Sequence, residues 1–308
     1  MTYSLLIQGP LNNRSLDAIE KYDYRNQFDE IIISHWESDD KELLNERVDG
    51  CIIVEKPLPV ISEDVDVTLL SDNSTFWYSI QSTYEGLKKC KSNFTIKLRS
   101  DEYYANFNPM KEKLSKSQEE LMDLEQTQCE GITKKNGQCK NITKDISKLC
   151  HLHNPYHVLK SEKMVFGSVI CKARHEHGGF TYHIGDHLFL AKTKNLLETY
   201  VLFDKMYRKR GWSPKEEEDF SWMKYVSGRT PVPETILAKA YLRTIDKLKG
   251  GSGIFNGGTE EDKAFINSFD IMDVNKLGEF HARYNQADID FIDTYNECSV
   301  EKIEDMLK

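Results

Sequence analysis

Residues Asn93 to Tyr104 read NFTIKLRSDEYY, an apolar run that ends abruptly in charge. Phe94, Thr95, Ile96 and Leu98 have the composition of a buried strand. Arg99-Ser100-Asp101-Glu102 follows at once. Carboxylates just past the carboxyl end of such a strand stand at the rim where α/β sheets bind their ligands. Hard cations such as Mg²⁺ or Mn²⁺ take oxygen ligands, commonly one or two carboxylates plus substrate phosphates. The pattern therefore points to a metal–diphosphate site, with Asp101 as the preferred ligand and Glu102 as the second. Lys97 and Arg99 add the positive charge that a diphosphate needs. A solvated loop after a strand is the plainer reading of the same residues.

Three more apolar runs lie upstream. Tyr3 to Gln8 (YSLLIQ) stops at Gly9-Pro10, Glu30 to Ser34 (EIIIS) ends in His35-Trp36, and Cys51 to Val54 (CIIV) leads into Glu55-Lys56-Pro57. All are short and non-alternating, as expected of strands buried on both faces. Between them, Ser15 to Tyr24 carries Leu16, Ile19 and Tyr22 at helical spacing. Ser74 to Lys91 places Trp77, Ile80, Tyr84 and Leu87 on one helical face, with Ser74 as N-cap. This rhythm predicts a Rossmann-like parallel sheet flanked by helices. The turn Gln8-Gly9-Pro10 suits close approach of backbone to a nucleotide base or ribose, and equally an ordinary turn. No GxxxxGK[ST] loop and no GxGxxG fingerprint is present, which removes support for an ATPase or a dinucleotide dehydrogenase.

Downstream the character changes. From Lys111 to about His153 apolar residues thin out, and this stretch reads as an insertion. Strand-like composition returns at Met164 to Ile170 and at Thr181 to Leu190, the latter with a polar centre. Asp186 lies in that centre between His183 and His187, and a charge in an apolar segment needs a reason. Arg174-His175-Glu176-His177-Gly178-Gly179 reads as a hairpin or loop before a metal site. Asn195 to Lys209 looks helical. Ser213-Pro214 followed by Glu216 to Asp219 has the cap, proline and acidic first turn of another helix. A last helix is expected from Ser299, with Val300, Ile303 and Met306 on one face. The expected division is 1–110, an insertion at 111–160, a second half at 161–248 and a helical C-terminal part at 249–308. No internal repeat is present.

The chain has 308 residues, 39% hydrophobic and 30% charged, with a net charge of −9. This balance fits a soluble globular protein with no basic tail, so no nucleic-acid partner is expected. No apolar run nears the roughly 20 residues that span a bilayer, and no leader pattern precedes the first strand. A cytoplasmic setting is the corresponding expectation, and the oligomeric state is left open. Seven cysteines, an odd count in a chain of this size, argue against a disulfide framework. Cys129, Cys139, Cys150 and His153 supply ligand types for tetrahedral structural zinc, which would stabilise an insertion too polar to build a core. Cys51, Cys90, Cys171 and Cys298 are scattered thiols.

Taken together, SLLIQGPL, EIIISHWE, STYEGLKKCKSNFTIKLRSDEYY, YHIGDHLFLAKTKNL and VPETIL resemble the WavE family of lipopolysaccharide synthesis, which looks like GT-A glycosyltransferases using nucleotide sugars. The resemblance covers roughly residues 3 to 110 and 164 to 240. Where the family carries Asn-Arg-Gln ahead of the Ser-Thr of its central helix, this chain has Trp77, Tyr78 and Ser79. The segment CEGITKKNGQCKN…KLCHLH resembles small CxxH-ended zinc motifs of large DNA viruses, which implies a viral setting. The resemblance implies a GT-A-like fold, a nucleotide-sugar donor, a glycan acceptor and Mn²⁺ or Mg²⁺. Gln8, Gly9 and Pro10 would line the nucleotide pocket with Ser34, His35 and Trp36. Arg99, Ser100 and Asp101 would hold the diphosphate and its metal, which His281 would complete. Asp186 would be the general base for the acceptor hydroxyl, with Glu218 and Asp219 as rivals and Glu234 as an acceptor contact. Two other readings stand beside this one. One is a zinc-containing module that binds nucleic acid or protein. The other is a nucleotidyltransferase on a similar sheet, although the loop after the first strand holds only one glycine.

Overall fold

In the computed structural model, the four early apolar runs become β1 (Tyr3–Gln8), β2 (Glu30–Trp36), β3 (Ile52–Lys56) and β4 (Phe94–Arg99). The structure describes residues 1–37, 39, 41–44, 48–63, 65, 74–114, 127–128, 142–143, 162–167, 172–174, 181–208, 233–245 and 268–281. The later strands are β5 (Tyr103–Tyr104), β6 (Thr127–Gln128), β7 (Ile142–Thr143), β8 (Met164–Gly167), β9 (Lys172–Arg174), β10 (Thr181–His183), β11 (Leu188–Lys192), β12 (Phe269–Met272) and β13 (Phe280–His281). The helices are α1 (Asn13–Lys21), α2 (Tyr24–Gln27), α3 (Ser74–Leu87), α4 (residues 108–114), α5 (Thr193–Met206) and α6 (Pro233–Thr244).

Seven strands form one sheet in the order β12-β8-β11-β4-β1-β2-β3. β1 runs parallel to β2 and β4, β2 to β3, and β8 to β12. Only β11 is reversed, pairing antiparallel with β4 and β8. The result is a mostly parallel, Rossmann-type sheet, as the sequence pattern predicts.

Both faces are covered. Leu6, Ile32, Phe166 and Phe189 pack under Trp77 and Ile80 of α3, Tyr200 and Phe203 of α5, and Leu237 and Tyr241 of α6. Leu5, Ile7, Ile33, Ile96 and Leu98 point the other way, onto Leu16 and Ile19 of α1, Tyr24 of α2 and Met110 of α4. Burial on both sides is why the central strands read as unbroken apolar strings. β3 departs from that expectation. It is an edge strand, and Ile53, Glu55 and Lys56 are exposed.

Local signals account for the element ends. The side chain of Asn12 accepts from the backbone N–H of Arg14 and caps α1 one turn ahead of the Ser15 start that the spacing suggests. Thr181 to Leu190 divides into β10 and β11. Gly185 between them has a φ of 64°, a left-handed turn that ends the first segment. β9 pairs antiparallel with β10 through Arg174 and Thr181, and the histidine-rich residues 175–179 between them lie outside the described residues. The C-terminal part, expected to be helical, contributes β12 at one edge of the main sheet, a 3-10 turn at Val274–Leu277, and β13. The helix expected from Ser299 lies outside the described residues. Among them, no helix is long and apolar enough to cross a membrane.

Candidate active site

The topology gathers one rim. β1, β2 and β4 are parallel and end together at Gln8, Trp36 and Arg99. β11 is antiparallel to β4 and opposes Leu188 to Leu98, so it begins at that rim, with Asp186-His187 just ahead of it. Backbone bonds continue past the strand ends: Ser100 donates to the Gln8 carbonyl at 2.9 Å, and Gly9 to the Ser34 carbonyl at 3.1 Å. Gly9 has a φ of 124°, and a Cβ there would lie 2.6 Å from Ser100 Oγ. Only glycine fits both demands. Pro10 is exposed beyond it. From α3, Ser79 Oγ donates to Gln8 Oε1 at 3.2 Å.

At the end of β2, His35 is fully buried and donates from Nδ1 to the Trp36 carbonyl at 2.9 Å. Its Nε2 has no hydrogen-bond partner among the described residues. Trp36 is buried edge-on against Tyr78 with ring centroids 6.3 Å apart. Asp39 joins the two loops by accepting from the backbone N–H groups of Trp36 at 3.1 Å and Leu11 at 3.2 Å. Nothing in its sequence context marks that role, which depends on a contact across 28 residues.

β4 supplies the charges. Arg99 grips Asp101 with two bonds, Nε to Oδ1 at 3.0 Å and Nη2 to Oδ2 at 3.1 Å. Its Nη1 lies 3.5 Å from Asp186 Oδ2. Burial works against the Arg99 cation, but Asp101 and Asp186 outweigh it and hold the guanidinium firmly protonated. Lys97 is fully buried, donates to the Asp186 carbonyl and lies over the Phe189 ring. Burial pulls its pKa down to about 8, against the attraction of Asp186. Ser100 is buried between these groups.

Glu102 follows Asp101 directly, yet it is wholly buried. Its Oε1 meets His187 Nδ1 at 2.5 Å, and its Oε2 accepts from Tyr104 Oη at 3.5 Å. His187 Nε2 lies 3.7 Å from Asp186 Oδ1. Burial opposes the imidazolium, but Glu102 and Asp186 prevail, so the His187 pKa lies above the ordinary imidazole value. Because β13 pairs with β5, His281 folds back to this rim, stacked on Tyr103 with centroids 6.0 Å apart. Its Nε2 accepts from Arg14 Nη1 at 2.8 Å. Burial and then Arg14 lower its pKa, which favours the neutral imidazole that a metal requires.

The carboxylate of Asp101 is a suitable oxygen donor for Mn²⁺ or Mg²⁺, whereas the imidazole of His281 suits the transition metal Mn²⁺ better than Mg²⁺. As they stand, Asp101 is held by Arg99, Glu102 by His187, and His281 by Arg14. Among the described residues, no three His, Cys, Asp or Glu side chains converge to hold an ion. Two of those partners are arginines, the side chains that a diphosphate would draw toward itself.

The structure thus brings together Gln8, Gly9, Ser100, Arg99, Asp101 and Asp186, with Glu102 behind them and His281 at the flank. Glu234 lies elsewhere, in the first turn of α6 within electrostatic reach of the Tyr207 hydroxyl. Glu218 and Asp219 lie outside the described residues, as do Cys129, Cys139, Cys150 and His153. His187 is the partner that sequence reasoning passed over. Its available signal was a second titratable side chain beside Asp186 at the start of an apolar strand.

No protein-family model matches this chain, and no curated protein matches it by sequence. Solved structures resemble it loosely. One is glucosyl-3-phosphoglycerate synthase from Mycobacterium tuberculosis in complex with Mn²⁺, UDP and phosphoglyceric acid, at 10% identity and a TM-score of 0.41, covering 99% of this chain and 77% of that one. Another is 4-diphosphocytidyl-2C-methyl-D-erythritol synthase from Anaerococcus prevotii DSM 20548, at 12% identity and a TM-score of 0.30, covering 79% and 98%.

Proposed function

We propose that this chain is a GT-A-type glycosyltransferase that moves a sugar from a nucleoside-diphosphate donor to a glycan hydroxyl. The observation that carries the reading is the cluster Arg99–Asp101–Asp186 at the rim where β1, β4 and β11 meet, beside the Gln8-Gly9 turn. Ligands of open α/β sheets bind outside the carboxyl ends of the strands. The base and ribose lie against Gln8, Gly9 and the loop that Asp39 ties to Trp36. The diphosphate lies against Arg99 and the backbone at Ser100. Asp101 and His281 would hold a Mn²⁺ or Mg²⁺ ion, which supplies charge neutralisation for the departing diphosphate.

Asp186 is the base. As the acceptor oxygen bonds to C1, its proton passes to Asp186. The C1–oxygen bond to the diphosphate breaks, and the nucleoside diphosphate leaves with the bonding pair. Arg99 meets that developing charge. A carboxylate flanked by cations is a weak base. Drawing Arg99 onto the donor diphosphate turns it from Asp186 Oδ2, which then accepts the proton of the acceptor hydroxyl. A structural zinc ion at Cys129, Cys139, Cys150 and His153 completes the reading, and metal analysis of the purified protein would give one zinc per chain.

The main test is thermal stability with UDP-, GDP-, CMP- and dTDP-sugars, each with and without Mn²⁺. One nucleotide is expected to raise the melting temperature in a metal-dependent way, and Asp101→Asn to abolish that rise. Stabilisation by DNA or RNA alone would favour a binding module. Release of pyrophosphate from a nucleoside triphosphate would favour a nucleotidyltransferase.

A further inference from the structure

We infer that His187 and Glu102 are positioning residues that fix the carboxylate of Asp186, through a buried row Glu102–His187–Asp186; this rests on the reading of Asp186 as the base. Glu102 is the informative member. The Glu102 N–H donates to the Arg99 carbonyl at 3.2 Å and closes a turn past the end of β4, which sends the two neighbouring acids in different directions. Asp101 meets Arg99 at the partly exposed rim, while Glu102 turns into the interior, where an unpaired carboxylate is not tolerated. It is held there by His187 at 2.5 Å and by Tyr104 Oη at 3.5 Å. Tyr104 is anchored in turn by Tyr24 of α2, whose hydroxyl donates to the Tyr104 carbonyl at 2.7 Å and accepts from its N–H at 3.3 Å. The row is therefore braced from α2 through Tyr104.

The orientation of His187 goes beyond what a buried pair needs. Nδ1 serves Glu102, which leaves Nε2 facing Asp186 Oδ1 at 3.7 Å. Arg99 addresses the other oxygen, Oδ2, at 3.5 Å. Each oxygen of Asp186 thus faces a different basic group, one from β4 and one from the residue just ahead of β11. The two fix the rotation of the carboxylate about its own axis. A base must present a lone pair along the line of the departing proton, and a misplacement of about 1 Å costs on the order of 100-fold in rate. In this arrangement the acceptor proton stops on Asp186. No proton passes through His187, whose task is to hold the carboxylate still while Arg99 turns to the diphosphate.

Kinetics of His187→Asn, Glu102→Gln, Asp186→Asn and the His187→Asn/Asp186→Asn double variant test this. His187→Asn is expected to lower kcat about 10- to 100-fold with the donor KM within about 2-fold. Glu102→Gln should fall less, since its carbonyl still accepts from Nδ1. The double variant should be no slower than Asp186→Asn alone. Independent, multiplying losses, or a KM change as large as the kcat change, would overturn the proposal. A second readout needs no turnover. In ¹⁵N spectra of the imidazoles, Glu102→Gln should shift the Nδ1–H signal of His187, and Asp186→Asn its Nε2 signal. An Nε2 signal indifferent to Asp186 would overturn the proposal by itself. Failure of the transferase reading shows separately, as a wild-type protein that no nucleotide sugar stabilises.

Discussion

Asp186 shows what single residues contribute. Its side chain is nearly buried, yet three basic groups surround it: Arg99 and His187 at the carboxylate and Lys97 at the carbonyl. Asp186→Asn keeps the shape and removes the base. It is expected to lower kcat by about 10²- to 10⁴-fold while donor affinity, read by calorimetry, stays within a few-fold. Gly9 makes a different point. Alanine there needs a left-handed φ and meets Ser100 Oγ. Gly9→Ala is expected to cost about 1–3 kcal/mol in urea unfolding, and to weaken nucleotide binding more than it weakens the fold. Both residues stood out in the sequence, Asp186 as a charge in an apolar run and Gly9 as a stop after a strand. His187 and Asp39 did not, because their meaning lies in partners 85 and 28 residues away.

At the scale of elements, β4 combines core and site on alternate faces. Ile96 and Leu98 fill one face, while Lys97 is buried on the other against Phe189. Burial lowers its pKa to about 8, against 10.5 for a lysine in water. Between those two values the unfolded chain holds a proton that the folded chain has lost, so stability rises with pH across that window. Lys97→Met should flatten that rise, read as the difference between the two proteins in denaturant titrations from pH 7.5 to 10.5. Glu30 gives the opposite case. Burial disfavours its charge, but Ser4 Oγ at 2.5 Å and the backbone N–H groups of Lys91 at 2.6 Å and Ser92 at 2.8 Å overcome this and lower its pKa. These bonds staple β1 and β2 to the loop before β4. Their contribution is present above the unfolded value of 4.5 and is lost as pH falls through the lower folded one. Glu30→Gln should therefore destabilise the protein at pH 7, by about 1–3 kcal/mol, and much less in acid.

At the scale of the whole molecule, the seven-stranded main sheet is drawn from distant parts of the chain. β12, from the C-terminal part, lies beside β8, and Phe269 packs between Phe166 and Tyr241. Phe269→Ala is expected to cost about 3–5 kcal/mol and to lower the midpoint of a single unfolding transition. A main transition left unmoved, with a separate minor one, would mean that this part folds on its own. The chain's own order of residues determined the four leading strands, the helices between them, and the charged stop after Leu98. Those features are local: apolar runs, caps and breaks act within a few residues and survive in any context. The tertiary structure alone decided that β11 runs backwards, that β13 returns His281 to the rim, and that Glu102 turns inward to His187. Such pairings set chain segments of high sequence separation side by side, where burial, charge and strand register act together, and no short window of residues contains them.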